Sequence, residues 1–256
     1  MTASDGGSVD GADGAVGPGA SGGRRVGRVF SGERGQRFDA AIRRWIEAGS
    51  PVAEPRVAAT VMLLRDGEQG IEVFVQERAA TMAFAPAMVV FPGGRVDPVD
   101  ASASVSGEVL SSLAGAMRVP SDAVRAIVGA ALREVEEECG VRLDAAALRP
   151  RARWLTPAFE PRRYDTWFFA AALPTGQVAK GTTRETVDEL WGRPDDLLAQ
   201  GRAGELALMP PTIVALEGLS AFASVAEALA DTPALTLVEP KVIETDTGYA
   251  LESHLP

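Results

Sequence analysis

The chain predicts an α+β or mixed α/β sandwich fold, and three observations carry that prediction. Its 256 residues are 46% hydrophobic, enough for a sizeable core. Apolar residues recur at strand spacing in some segments and at helical spacing in others. These segments are mixed along the chain without the strict alternation that a doubly wound parallel sheet requires. Aromatic residues make up only 6%, so the core is mostly Ala, Val and Leu.

Residues 1–33 hold Gly, Ala, Ser and Asp with little to bury, and read as a disordered tail. Within it Arg24, Arg25 and Arg28 form a short basic patch, read as a solvated linker. Residues 34–54 form an N-terminal helix and linker: Phe38, Ala41, Ile42, Trp45 and Ile46 recur at helical spacing, Gly49 is a stop, and Pro51 and Pro55 punctuate the exit. The main domain is expected over 55–256. Residues 56–65 are rich in Val, Ala, Thr and Leu and read as a strand. Asp66-Gly67 begins a turn, and 71–76 returns as the second arm of a hairpin. A short apolar run, 88–91, ends at Pro92-Gly93-Gly94. Ser- and Ala-rich sequence follows to Pro120, then a helix over 122–139 closed by Gly140. Further strands are expected at 154–155, 166–173 and 186–191, and helices at 195–200 and 211–230.

Composition removes whole classes of chemistry. The only histidine, His254, lies two residues from the C-terminus on a segment expected to be loose. A Ser-His-Asp triad, a Cys-His dyad or a multi-histidine zinc site cannot be built within one chain. The single Cys139 cannot form an internal disulfide. With 35 acids against 25 Lys plus Arg, the net charge of −10 lacks the basic footprint of a nucleic-acid binder. No run of about 18 apolar residues predicts a membrane span. The glycine-rich, acidic N-terminus lacks a signal-peptide h-region, so a cytoplasmic location is expected.

The informative segment is Arg133-Glu134-Val135-Glu136-Glu137-Glu138-Cys139-Gly140-Val141. On a helix Glu134, Glu137 and Glu138 stand at i, i+3 and i+4 and share a face, while Val124, Ile127, Val128, Ala131 and Val135 form an adjoining apolar stripe. Arg133, one turn before Glu137, is placed to hold it in a bidentate pair. Four glutamates crowd the last two turns, where the helix dipole disfavours anions and like charges repel. That density of broken local rules implies a compensating cation. Carboxylate oxygens without soft ligands suit Mg²⁺ or Mn²⁺. Cys139, at a helix C-terminus where the dipole raises a thiol pKa, is not read as a nucleophile.

This segment resembles the core of the Nudix box, Arg-Glu-U-x-Glu-Glu-x-Gly-U with U aliphatic, at every fixed position; a chance match is roughly one in a hundred thousand. The front half, Gly-x5-Glu, is met by residues 94–100 with Asp100 in place of glutamate. The usual seven residues before the Arg-Glu pair become 32 here, Ala101 to Leu132. Asp97 and Asp100 also read as ordinary turn residues. Phe91-Pro92-Gly93-Gly94 resembles the loop before the box, and the resemblance implies a metal-ligating carbonyl at Gly93. It further implies an α/β/α sandwich with a mixed sheet and a metal set of Glu134, Glu137, Glu138 and Gly93. Arg133 would orient the glutamates, and Glu134 or an outside glutamate, Glu185, six residues before Trp191, would act as base. Glu189 competes with Glu185.

A split box resembles the branch typified by peroxisomal acyl-coenzyme A diphosphatases. The likeness extends over about 56–228 and includes Trp154-Leu155-Thr156-Pro157, Arg162-Arg163-Tyr164-Asp165-Thr166 with Phe168-Phe169, and Met209-Pro210-Pro211-Thr212. Of that branch's coenzyme A signature only the first arginine has a match, Arg78; Ala83 and Ala87 occupy the later Arg and Gly positions. The C-terminal His-Leu-Pro is no peroxisomal signal. Arg162 and Arg163, just ahead of an apolar strand, are candidates to clamp a substrate phosphate, or else serve to solubilise a strand end. Trp154 and Phe159 read as packing residues.

The expected function is divalent-metal-dependent hydrolysis of a diphosphate linkage in a small nucleoside-diphosphate-linked molecule, with coenzyme A or acyl-coenzyme A in view. The alternatives are ADP-ribose or nucleotide-sugar hydrolysis, and a non-catalytic Nudix domain that senses a nucleotide. Neither nucleic acid nor membrane is expected as a partner. The insertion at 101–120 is compatible with shaping the pocket, capping it or mediating a homodimer, and its composition does not choose. Residues 210–230 are expected as a C-terminal helical extension.

Overall fold

The computed structural model describes residues 26–30, 33–79, 87–181, 186–246 and 248–255. Strand β1 (Val26–Phe30) and helix α1 (Glu33–Glu47) precede β2 (Arg56–Gly67), the central strand of the main sheet, and β3 (Gly70–Arg78). β2 and β3 form the expected hairpin, closing at Gly67 opposite Gly70. Residues 58–64 of β2 are buried without a break. Such a strand reads as a continuous apolar run because both of its faces are covered.

The chain continues through β4 (Val89–Val90), β5 (Gly93–Arg95), a 3-10 turn (Pro98–Ser102), α2 (Gly107–Met117) and α3 (Ser121–Cys139). Next come β6 (Arg149–Leu155), β7 (Tyr164–Ala172), β8 (Thr186–Gly192), α4 (Pro194–Ala203), α5 (Pro210–Leu219) and α6 (Val225–Ala230). The last elements are β9 (Leu237–Val238), β10 (Lys241–Thr245) and β11 (Gly248–Leu255). The main sheet runs β4-β3-β2-β7-β6-β9, with β5 also paired to β2 and β8 to β3. It is mixed: β2–β7 and β6–β9 are parallel, the other pairs antiparallel.

Strand alternation divides the core into two layers. Ala59, Val61 and Leu63 of β2, with Trp167, Phe169 and Ala171 of β7, face α2 and α3. Met62, Leu64, Phe168 and Ala170 face the side of α4, α5 and α6. This is the α/β/α sandwich with a mixed sheet that the sequence leads one to expect. A smaller cluster joins Phe38, Ile42 and Trp45 of α1 to Leu251 and Tyr249 of β11 and to Phe159 of the β6–β7 loop. Trp154 and Phe159 are both buried packing residues.

Four expectations need correction. Val26–Phe30, read as part of a disordered tail, pairs with β11, and Arg28 binds Glu217 of α5 instead of lying in a solvated linker. His254, expected on a loose end, lies within β11 opposite Gly27. Together with β10 these strands form a second, three-stranded sheet that no local pattern announced. The Ser/Ala-rich stretch before Pro120 contains helix α2, which buries Leu110, Leu113 and Met117 against the α3 layer. Finally, 211–230 is two helices, broken where residues 220–224 turn before Ser224 caps α6 through the Glu227 amide.

Phe169 is 0% exposed at the centre of the α3 layer. Phe169→Ala should lower unfolding stability by about 3–5 kcal/mol, measured by urea denaturation.

Candidate functional site

Helix α3 ends as the sequence predicts. Gly140 adopts the left-handed conformation, φ 67°, and its amide closes on the Glu136 carbonyl. Val124, Ile127, Val128, Ala131 and Val135 are buried under the sheet, so the adjoining glutamate face turns toward β5.

β5 is held by β2. Thr60 Oγ donates to the Phe91 and Pro92 carbonyls at 3.2 and 2.7 Å, and the Val61 amide donates to Pro92 O at 2.9 Å. The Phe-Pro-Gly-Gly loop is thereby fixed against the strand, and the Gly93 amide donates to Glu138 Oε2 at 2.9 Å. At Gly94 an added Cβ would lie 2.5 Å from Glu134 Cδ, so any side chain there would displace that carboxylate.

Arg133 sits among these groups with all five N–H donors engaged. Nε and Nη2 reach Asp100 Oδ1 and Oδ2 at 2.9 and 3.0 Å, and Nη2 also donates to the Arg95 carbonyl at 3.1 Å. Nη1 donates to Glu134 Oε1 at 2.7 Å and Glu137 Oε2 at 3.1 Å. The expectation of a bidentate pair with Glu137 is therefore corrected: the planar fork matches Asp100, and Glu137 receives a single bond. Asp100 is not an ordinary turn residue either. It is 4% exposed, and the Asp97 amide donates to its Oδ2 at 2.7 Å.

The electrostatics follow from this packing. Burial alone pushes the Asp100 carboxyl upward, but the hydrogen bonds from Arg133 and Asp97 and the Arg133 charge hold it below its ordinary value. Glu134 goes the other way: its burial, with the charges of Glu137 and Asp100, outweighs Arg133 and raises it. Arg133 is held even more firmly protonated than a free guanidinium. Cys139 is pushed up by burial and by the charges of Glu138 and Glu189, in keeping with an inert thiol.

The oxygen donors suit a hard divalent cation. In the structure they are engaged with Arg133 and the Gly93 amide, and among the described residues no three acidic, Cys or His groups are already gathered around one point.

The remaining candidates separate. Glu185 lies outside the described residues. Glu189, on β8 opposite Gln76, accepts a hydrogen bond from the Gly181 amide and stands close enough to the end of α3 to act on Cys139. Arg78 closes β3, and its Nε is buried without a hydrogen-bond partner among the described residues. Ala83 lies outside the described residues, whereas Ala87 has φ 53°, a left-handed conformation that glycine adopts at little cost. Arg162 is exposed. Arg163 has another task than a phosphate clamp: it is buried, donates to the Thr156 and Ala53 carbonyls at 3.0 and 3.2 Å and pairs with Glu239 at 3.0 Å, bracing the β6–β7 loop. Sequence reasoning missed Thr60, whose signal is a lone hydroxyl in an apolar strand. It also missed Gly129, a glycine in the middle of an Ala-rich helix.

Known proteins resemble this chain in sequence and in fold. The NUDIX domain family model matches residues 54–210. A curated Caenorhabditis elegans protein with a nudix hydrolase name is 28% identical over 188 residues, which cover 67% of this chain and 63% of that protein. The chain thus spans less than two thirds of that relative's length. The crystal structure of a NUDIX hydrolase from Alicyclobacillus acidocaldarius is 28% identical with a TM-score of 0.60, covering 71% of this chain and 98% of its own.

Two measurements test the local physics. A carboxyl with a lowered folded pKa contributes stability that is complete above its ordinary value of 3.8 and is lost as pH falls through the folded value. Asp100→Asn should therefore cost about 2 kcal/mol at neutral pH and flatten the acid side of the stability profile, as read by denaturant unfolding from about pH 7 to about pH 2. Ala87→Gly should raise stability by about 1 kcal/mol by relieving the left-handed backbone, as read from the thermal midpoint.

Proposed function

The chain belongs to the Nudix family, and from that premise we propose that it is a divalent-metal-dependent hydrolase of a diphosphate linkage, X–P–O–P–Y, in a nucleoside-diphosphate-linked molecule. The observation that carries this reading is the convergence of Asp100, Glu134 and Glu137 on one guanidinium, with Glu138 held beside them by the Gly93 amide of the glycine loop. Four carboxylates against one Arg133 leave a site that a Mg²⁺ or Mn²⁺ ion would neutralise. Glu134, Glu137, Glu138 and the Gly93 carbonyl are the proposed ligands. Bound there, the ion supplies charge neutralisation of phosphate and activation of water for attack at phosphorus.

The protein's own groups do the rest. Glu134, whose proton affinity burial raises, is suited to accept a proton from the attacking water. Arg133 fixes the orientation of Glu134 and Glu137, leaving their second oxygens to other partners. Glu189, held beside the end of α3, is supported as the glutamate outside the box, with Glu185 retained as its competitor. No step requires a histidine or a covalent intermediate.

For the group Y, coenzyme A or acyl-coenzyme A is the reading supported by the split box and by Arg78, whose buried Nε has no hydrogen-bond partner among the described residues. The left-handed backbone at Ala87 adds support, because the related signature places glycine at that position. Arg162, exposed at the β6–β7 loop, is the phosphate-clamp candidate, whereas Arg163 is buried and taken up by Thr156, Ala53 and Glu239.

The test is a Mg²⁺- or Mn²⁺-dependent screen on coenzyme A, acyl-coenzyme A, ADP-ribose and nucleotide sugars, with both products identified by mass. Wild type should cleave a diphosphate only with metal present, and Glu138→Gln should lower kcat by at least about 100-fold. Undiminished turnover in that variant removes the ligand assignment. Nucleotide binding without cleavage by the wild type would favour the sensor reading instead.

A further inference from the structure

The two halves of the box are separated by 32 residues of chain, yet they meet with bonded precision at Arg133. What holds them is a ladder on α3. Arg125, Gly129 and Arg133 are spaced four apart and so lie along one helix face. Residues 100–105 run across that face in the opposite direction. Arg133 grips the Asp100 carboxylate. One turn earlier, Gly129 lets the backbone of the 3-10 turn rest directly on the helix. An added Cβ there would lie 2.9 Å from Ala103 Cβ and closer still to the Asp100 carbonyl oxygen. One turn earlier again, Arg125 Nη1 donates to the Ala103 carbonyl at 3.1 Å and to that of Val105 at 3.5 Å.

The turn itself is stiff. The Asp97 amide donates to the Asp100 carboxylate at 2.7 Å, and the Ala103 amide donates to the Asp100 carbonyl at 3.1 Å. The obstacle at position 129 is therefore backbone within a braced turn, which no rotamer change can clear. Any side chain at 129 must lift Asp100 away from Arg133.

We propose that Gly129 and Arg125 are positioning residues for the glutamate cluster: they seat the 3-10 turn so that Asp100 aligns Arg133, which in turn sets Glu134 and Glu137. The inference rests on the reading of those glutamates as metal ligands. The opposite reading makes Gly129 a weak point of the helix, where alanine would simply improve helix propensity.

The experiment uses the full chain and four variants, G129A, R125M, R125K and, as a control, G115A. Gly115 lies in α2 with open space where a Cβ would go. Two quantities are measured: Mn²⁺ affinity by calorimetric titration, and exchange of the Arg133 Nε proton by nitrogen-15 NMR. G129A should weaken Mn²⁺ binding about tenfold, the size seen when groups behind metal ligands are removed. Its Arg133 Nε proton should exchange at least about tenfold faster as the Asp100 bond opens. R125M should move both readouts the same way by a smaller factor, R125K should restore them, and G115A should match wild type. Wild-type exchange and Mn²⁺ affinity in G129A overturn the proposal; should G129A not fold, a wild-type-like R125M overturns it instead. Wild type that binds no Mn²⁺ removes the metal reading, while faster Nε exchange in G129A would still uphold the seating of Arg133.

Discussion

Arg133 connects four parts of the chain through one planar group: the front of the box at Asp100, the strand end at Arg95, and two glutamates of its own helix. The side chain is partly buried, and its donors each find an acceptor, which offsets the cost of drawing a guanidinium out of water. Lysine in its place would offer a point charge without the fork that matches Asp100. The flanking glycines belong to the same arrangement: Gly94 gives Glu134 its space and Gly129 admits the turn that carries Asp100.

The layers divide the work. The face of the sheet covered by α2 and α3 carries the carboxylates at its margin. The face covered by α4, α5 and α6 is almost wholly apolar burial. The insertion in the box lies with the first group, but as packing: Leu110, Leu113 and Met117 of α2 enlarge the core behind α3. The extra chain leaves from the 3-10 turn and enters α3 at its N-terminus, one turn before Arg125, so α2 packs behind the ladder without crossing it.

Much of this was legible from local pattern. The apolar run of β2, the stripe and glycine stop of α3 and the three glutamates at i, i+3 and i+4 follow from periodicity, which is a short-range property. What escaped was long-range. Asp100 reads as a turn residue because nothing near it in sequence announces a guanidinium 33 positions on. Arg163 reads as a surface clamp because its acceptors, Ala53 and Glu239, lie far off along the chain in both directions. β1, β10 and β11 are short and mixed in polarity, so only their mutual pairing makes them a sheet. α2 was hidden by its Ser and Ala content, which suits a loop as well as a helix until Leu110, Leu113 and Met117 find a surface to cover.

The parallel pairing of β2 with β7 also governs when the site can exist. Arg56 lies beside Tyr164, so about a hundred residues must be synthesised and looped back before the central pair can close. β5, which carries the glycine loop, is anchored on that same β2. A nascent chain ending before β7 would hold every glutamate of the box and the arginine that orients them. It would still lack the paired strand that gives them a fixed floor, so competence for chemistry arrives late, with the closing of the sheet's centre.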